Sequence, residues 1–218
     1  MLLSAVSREL TLSENESNDK SCLLVATFNQ GKLKEIQSYL TFLPIRLLSL
    51  KIFPNVDPMV EKGKTFKENA GDKAAYYSRF TKFLTMADDS GLVVDALDGK
   101  PGVYSARYLS EQASDRDRFC QILTELKDIP DSKRTAKFEC CIALAREGIV
   151  REMVQGTLEG VISREPRGKN GFGYDPIFQV VQNGPTLAEL SSDEKNQISH
   201  RGQALRKMVE KLSLRVST

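Results

Sequence analysis

The sequence predicts an α/β protein built on a mixed β-sheet. Two observations carry this expectation. Short apolar runs alternate with segments of helical period along the chain, and Ala136, Phe138, Cys140, Ile142 and Leu144 keep a strict period of two. That second run meets Glu147-Gly148 and then Ile149 to Val154, which reads as an antiparallel hairpin inside an otherwise interleaved order.

The elements follow in order. Leu23 to Thr27 is a short apolar run suited to a buried strand, broken by Asn29-Gln30-Gly31. Leu33, Ile36 and Leu40 then recur at helical spacing, and Phe42 to Leu50 is apolar enough for a second strand. Thr65-Phe-Lys-Glu68 is a capping-box signature, continued by Phe66, Ala70, Ala74 and Tyr77 as one helix face. Phe83 to Ala87 reads as a strand running into Asp88-Asp89-Ser90-Gly91, and Leu92 to Val94 resumes it. Phe119, Ile122, Leu123 and Leu126 mark a helix opened by Ser114 and closed before Pro130. After the hairpin, Val161-Ile162 and Ile177 to Val181 supply further strand material around a glycine-rich loop. A last helix carries Ala204, Leu205, Met208, Val209 and Leu212 on one face. Residues 1–20 end in a polar stretch and read as a flexible leader, leaving 21–218 as a single domain.

Composition narrows the function. Of 218 residues, 31 Lys and Arg stand against 29 Asp and Glu, a net charge of +2 that argues against a nucleic-acid partner. A small anionic ligand needs only a local basic cluster. Four cysteines without a CxxC pair, beside a single histidine, give neither a zinc site nor a disulfide framework. Cys140 and Cys141 in an apolar run read as buried, reduced thiols. No run is long enough to span a membrane, so a cytoplasmic protein is expected.

Four constellations could carry chemistry. Thr27-Phe28-Asn29-Gln30-Gly31-Lys32 joins a strand end to a helix start, where backbone N–H groups and a lysine suit a phosphate. The same residues suit a polar turn with a solvated lysine. Asp88-Asp89-Ser90 places two carboxylates in an apolar stretch, which suits a cation or a proton acceptor; a capped turn is the plainer alternative. Gly171-Phe172-Gly173-Tyr174-Asp175-Pro176 offers close backbone approach, a ring to stack on a base and an acceptor, or else a hairpin loop with a buried Phe. His200-Arg201 could read a carbonyl-bearing ring edge, or could simply be structural.

Together these segments resemble the inosine/xanthosine triphosphate pyrophosphatases. Thr27, Asn29 and Lys32 match the family's T/S-x-N-x-x-K element, and Glu61 with Gly63 to Ala70 its G-x-T-F-x-E-N-A stretch. Ala87 to Leu92 match A-D-D-S-G-L, and Pro101 to Arg107 match P-G-x-Y-S-A-R. Gly171 to Pro176 match G-F-G-Y-D-P, and Glu194 to Gly202 match E-K-x-x-x-S-H-R-G. The resemblance implies an elongated, two-lobed fold around a long mixed sheet with a central cleft, a homodimer, and Mg²⁺-dependent hydrolysis of ITP, dITP and XTP to monophosphates. It places Thr27 to Lys32 on the triphosphate, Asp89 as general base and metal ligand, Glu61 as the second metal ligand, and Ser90 on the substrate. Phe172, Gly173, Tyr174, Asp175, Lys195, His200 and Arg201 would hold the nucleotide. A related pyrophosphatase of different base preference, or a nucleotide sensor without turnover, would be built from similar motifs.

Overall fold

A computed structural model of the chain describes residues 22–216; the leader expected over 1–20 lies outside the described residues. Among the described residues six strands form one sheet in the order β2-β1-β3-β4-β5-β6. They are β1 (Cys22–Val25), β2 (Arg46–Ser49), β3 (Leu84–Val94), β4 (Thr135–Arg146), β5 (Ile149–Ile162) and β6 (Phe178–Gln179). β2 and β3 lie parallel to β1, while β4, β5 and β6 add on antiparallel, which makes the sheet mixed as the sequence predicted. The hairpin turns at Glu147 and Gly148, both at positive φ, the backbone that a tight two-residue turn between twisted strands requires.

Among the described residues there are five α-helices: α1 (Gln30–Leu40), α2 (Phe66–Ser78), α3 (Asp115–Glu125), α4 (Ser192–Ile198) and α5 (His200–Val216). Strand alternation decides which residues meet which helix. Met86, Cys140, Ile142 and Leu144 face α1 and α5, packing on Ile36, Leu40, Leu205 and Met208. Their neighbours Ala87, Cys141, Ala143 and Ala145 point the other way, onto Phe66, Ala70, Ala74 and Tyr77 of α2. Small side chains on both partners let α2 sit close to the sheet. Farther along the same strands, Leu92, Val94, Phe138, Leu158 and Ile162 pack on Ile122 and Leu126 of the α3 end. The long β3–β5 ladder therefore spans three packing centres. Both Cys140 and Cys141 are buried free thiols, as expected.

Two local features differ from the sequence reading. Phe42 to Pro44 belong to the turn after α1, so β2 starts only at Arg46. β3 is one unbroken strand through Asp88 and Asp89. The last helix opens at His200, separated from α4 because Ser199 is extended at ψ 154°, and its Oγ accepts the Gly202 N–H at 3.0 Å. A serine in that role is a helix N-cap, and it makes His200 and Arg201 the opening residues of α5.

Candidate active site

The site forms where β1 stops short of β3. The Ala26 N–H donates to the Met86 carbonyl at 2.7 Å, and β3 then runs on past the end of β1, paired only with β4 on its other edge. Parallel strands in α/β sheets commonly leave their ligand crevice at such carboxyl ends. Here the crevice is a cavity of about 300 Å³ lined by residues of the α2-face and α3-end packing centres.

One wall is the β1–α1 connection. The Asn29 N–H donates to Thr27 Oγ1 at 3.2 Å, and Asn29 Oδ1 caps the helix by accepting the Lys32 N–H at 3.0 Å. The positive end of α1 is thus turned toward the cavity, with Thr27, Phe28, Asn29 and Lys32 on its lining. Gln30 and Gly31 stand behind it. The Gln30 amide folds back to the Phe28 carbonyl, and Gly31 leaves room for the Phe172 ring, three atoms of which would lie 2.6–2.9 Å from any Cβ.

The floor is β3, whose two adjacent acids point to opposite faces. Asp88 is wholly buried on the α1/α5 face and stands outside the cavity lining. Its Oδ2 faces Lys32 Nζ at 3.3 Å and accepts from Arg201 Nε at 3.1 Å and Ser90 Oγ at 3.2 Å. Burial opposes its charge, but Lys32 and Arg201 outweigh that and hold Asp88 below the usual carboxylate range. Asp89 lies on the α2 face and lines the cavity. Burial pushes its carboxyl up, Glu61 adds to the rise, and Lys32 and Lys73 offset only part of it. Glu61, from the loop before α2, bonds Lys73 and Arg107, the latter at 3.2 Å. Lys73 in turn faces Asp89 Oδ1 at 3.7 Å and donates to the Asp88 carbonyl at 3.1 Å. An ammonium already occupies the space shared by Glu61 and Asp89, so that pair attracts a cation. Among the described residues no cluster of three or more His, Cys, Asp or Glu forms a closed metal cage. Two carboxylates facing an open cavity fit Mg²⁺, which takes one or two from protein and fills the rest with phosphate and water.

A further wall is the glycine-rich loop, whose Phe172 ring packs on Gly31. The Phe172 N–H donates to Asp175 Oδ2 at 2.9 Å, the Gly173 N–H to Asp115 Oδ2 at 2.7 Å, and the Tyr174 hydroxyl to the Ser105 carbonyl at 2.9 Å. Lys195 Nζ reaches Asp175 at 2.5 Å and Glu35 at 2.8 Å, and lies 4.8 Å from the Phe172 ring centre. The Arg201 guanidinium is 5.6 Å from the same ring, bonded to Asp88, Glu35 and, at 2.6 Å, Ser90 Oγ. His200 stacks on Phe138 at 4.6 Å and 9°. Its burial, with the Arg201 and Lys195 charges beside it, drives its pKa well down and keeps it neutral.

Twelve of the fourteen substrate-site residues named from the sequence, together with both metal candidates, fall within one segment set around this cavity: all except Gln30 and Gly31 line it. Sequence reasoning missed Lys73, Glu35, Asp115 and Arg118, and gave no role to Asn69, which it met only inside the Gly63 to Ala70 match. Helical spacing was the available signal: Glu35 follows Lys32 by three residues, and Lys73 follows Asn69 by four, so each shares a face with its neighbour.

Comparisons with known proteins show the family. The model of the Ham1 family matches residues 23–211. The dITP/XTP pyrophosphatase of Geobacter sulfurreducens is 54% identical over 183 residues, covering 84% of this chain and 92% of that protein. The Bacillus cereus protein of the same name is 50% identical over 192 residues, 87% of this chain and 94% of the relative. A HAM1 protein structure from Coxiella burnetii superposes with a TM-score of 0.80 at 44% identity, covering 88% of this chain and 98% of that one. The Staphylococcus aureus Ham1 protein gives 0.78 at 36% identity, with the same coverages of 88% and 98%. By sequence over nearly its whole described length, and by fold, this chain belongs to the Ham1 family.

Proposed function

We propose that this chain is a cytoplasmic, homodimeric pyrophosphatase that hydrolyses deaminated purine nucleoside triphosphates (ITP, dITP, XTP) to monophosphate and pyrophosphate, with Mg²⁺. The observation that carries the reading is the make-up of one cavity. An acid of raised pKa, two lysines and a helix N-terminus share it with an aromatic ring flanked by buried cations. The names of the relatives, dITP/XTP pyrophosphatase, support the same substrate class.

In this reading the N-terminus of α1, Lys32 and Lys73 hold the triphosphate and offset its charge. Asp89 accepts the proton of the water that attacks the α-phosphorus, a role that suits a carboxyl whose pKa lies above the usual range. Glu61 and Asp89 are the residues that would hold Mg²⁺, which supplies charge neutralisation on the phosphate oxygens when bound. Ser90, anchored by Arg201, contacts the substrate. Phe172 stacks on the base, Gly173, Tyr174 and Asp175 complete the loop around it, and Lys195, His200 and Arg201 orient its edge. A 6-oxo group accepts a donor there; an adenine amino group leaves that donor unpaired, at a cost of about 1–3 kcal/mol.

Pyrophosphate release from ITP, XTP, dITP, ATP, GTP and CTP, each with Mg²⁺ and with EDTA, tests this. Mg²⁺-dependent release confined to ITP, dITP and XTP is expected. Equal turnover of ATP, or turnover unaffected by EDTA, would refute it. Sedimentation at micromolar protein should give twice the chain mass.

A further inference from the structure

Asn69 is fully buried on the sheet-facing side of α2, among Phe66, Ala70 and Tyr77. A primary amide is a costly choice at such a position unless both of its ends are used. Both are. Asn69 Oδ1 accepts the Gly63 N–H at 2.8 Å, and Asn69 Nδ2 donates to Asp89 Oδ2 at 3.0 Å. The backbone N–H of Gly63 can bond only the carbonyl end, which fixes the amide orientation and leaves its N–H₂ for the carboxylate. Gly63 sits two residues after Glu61, so one neutral side chain ties the Glu61 loop to the Asp89 carboxylate.

A second observation points the same way. A Cβ on Gly63 would lie 2.6 Å from Asn69 Oδ1 and 2.8 Å from Glu68 Cβ. The loop therefore approaches α2 this closely only because residue 63 has no side chain. With Oδ2 held by Asn69, Asp89 presents Oδ1 toward Lys73 and the cavity.

We infer that Asn69 is a positioning residue that sets the spacing and orientation of the Glu61–Asp89 acid pair toward a divalent cation, with Gly63 as its required counterpart. This rests on the function proposed above. The amide suits the task better than the alternatives: leucine fills the volume but bonds neither partner, and serine is too short to reach both. A residue that acts on the acid pair, and makes no contact with the nucleotide, should change cation binding and turnover while sparing nucleotide recognition.

The test uses the full chain and the variants Asn69→Leu, Asn69→Ser and Gly63→Ala, each checked for folding by circular dichroism. Mn²⁺ binding to the nucleotide-free protein is followed by electron paramagnetic resonance, and ITP turnover is measured at varied Mg²⁺. Half-saturating Mn²⁺ is expected to rise about 10- to 100-fold, with kcat falling over a similar range. KM for ITP at saturating Mg²⁺ should stay within about twofold of wild type. Folded variants that bind Mn²⁺ and turn over like wild type overturn the role of Asn69 while leaving the proposed function intact. A KM that rises as much as kcat falls also overturns it, since general disruption then explains the loss. If both Asn69 variants fail to fold, Gly63→Ala alone decides by the same criteria. A wild-type chain that neither binds Mn²⁺ nor hydrolyses ITP brings down the function itself.

Discussion

Replacing Asp88 and Asp89 one at a time by asparagine should give opposite effects on stability, although the residues are adjacent. Asp88 belongs to a buried network of three cations (Lys32, Lys195, Arg201) and three carboxylates (Asp88, Glu35, Asp175). The charges balance. Asp88→Asn leaves one positive charge uncompensated around an Arg201 that is only 2% exposed. Breaking a buried pair by removing one partner costs about 3–5 kcal/mol; the new amide oxygen can still accept a bond, so about 3 kcal/mol is expected. At roughly 2–4 °C per kcal/mol for a chain of this size, Tm should fall by about 6–12 °C. Asp89 is the reverse case. Its pKa is raised, so its charge is less favourable in the folded protein than in the unfolded chain at neutral pH. Asp89→Asn should unfold no more easily than wild type in urea, yet lose turnover. Urea melts followed by fluorescence and circular dichroism at pH 7, with ITP turnover alongside, read both effects. An Asp88→Asn variant within about 0.5 kcal/mol of wild type would refute the charge-balance reasoning, because surface-like substitutions have that size. So would an Asp89→Asn variant as unstable as its neighbour.

Gly31→Ala should raise KM for ITP while costing about 1–3 kcal/mol of stability, since its Cβ overlaps the Phe172 ring and the ring must move; an unchanged KM removes Phe172 from the base site. His200 has a depressed folded pKa, so the neutral form it provides is stable above pH 6.5 and is lost as pH falls below that value. Wild type should lose up to about 1.4 kcal/mol per pH unit below pH 6.5 more than His200→Gln; parallel urea midpoints for the two proteins down to pH 5 would refute this. Arg134→Met should cost at least about 3 kcal/mol, because the guanidinium bonds the Leu126, Ile162 and Ser163 carbonyls in a buried setting outside the cavity lining. Its kcat/KM should match wild type in the folded protein, and a large loss there would show that this end of the sheet is coupled to the site.

Features fixed by local pattern were legible in the sequence; those fixed by distant pairing were not. The β4–β5 hairpin could be read because Ala136 to Leu144 alternate strictly and Glu147-Gly148 supplies the positive φ of the turn. β3 looked interrupted because Asp88 and Asp89 break an apolar run, and only the two charged environments on its faces show why a strand tolerates them. Glu35 looked like an ordinary polar position on α1; its value comes from Arg201 and Lys195, far along the chain. Lys73 was hidden in the same way on α2, and Asn69 showed only as part of the Gly63 to Ala70 match. Gly31 carried the signal of a phosphate loop, yet its missing side chain serves the Phe172 ring. Ser199 ended one helix and capped the next, a break that hydrophobic spacing alone does not mark.

The need for two consecutive acids follows from the strand itself. Where β1 ends, β3 is left open along one edge, and its successive side chains must still point to opposite faces. A single acid there could serve only one of two demands. The α1/α5 side needs a permanently charged, inaccessible carboxylate to hold Lys32 and Arg201 toward the cavity. The α2 side needs a carboxylate that is reachable and only weakly committed to its charge. Asp88 meets the first demand because cations surround it and nothing of it is exposed. Asp89 meets the second because burial raises its pKa while Asn69 and Lys73 keep it oriented. Exchanging the two environments would require shifting β3 by one residue, which would also turn Met86 and Leu92 out of their cores. The positions of these two acids and the packing of the sheet are therefore one constraint.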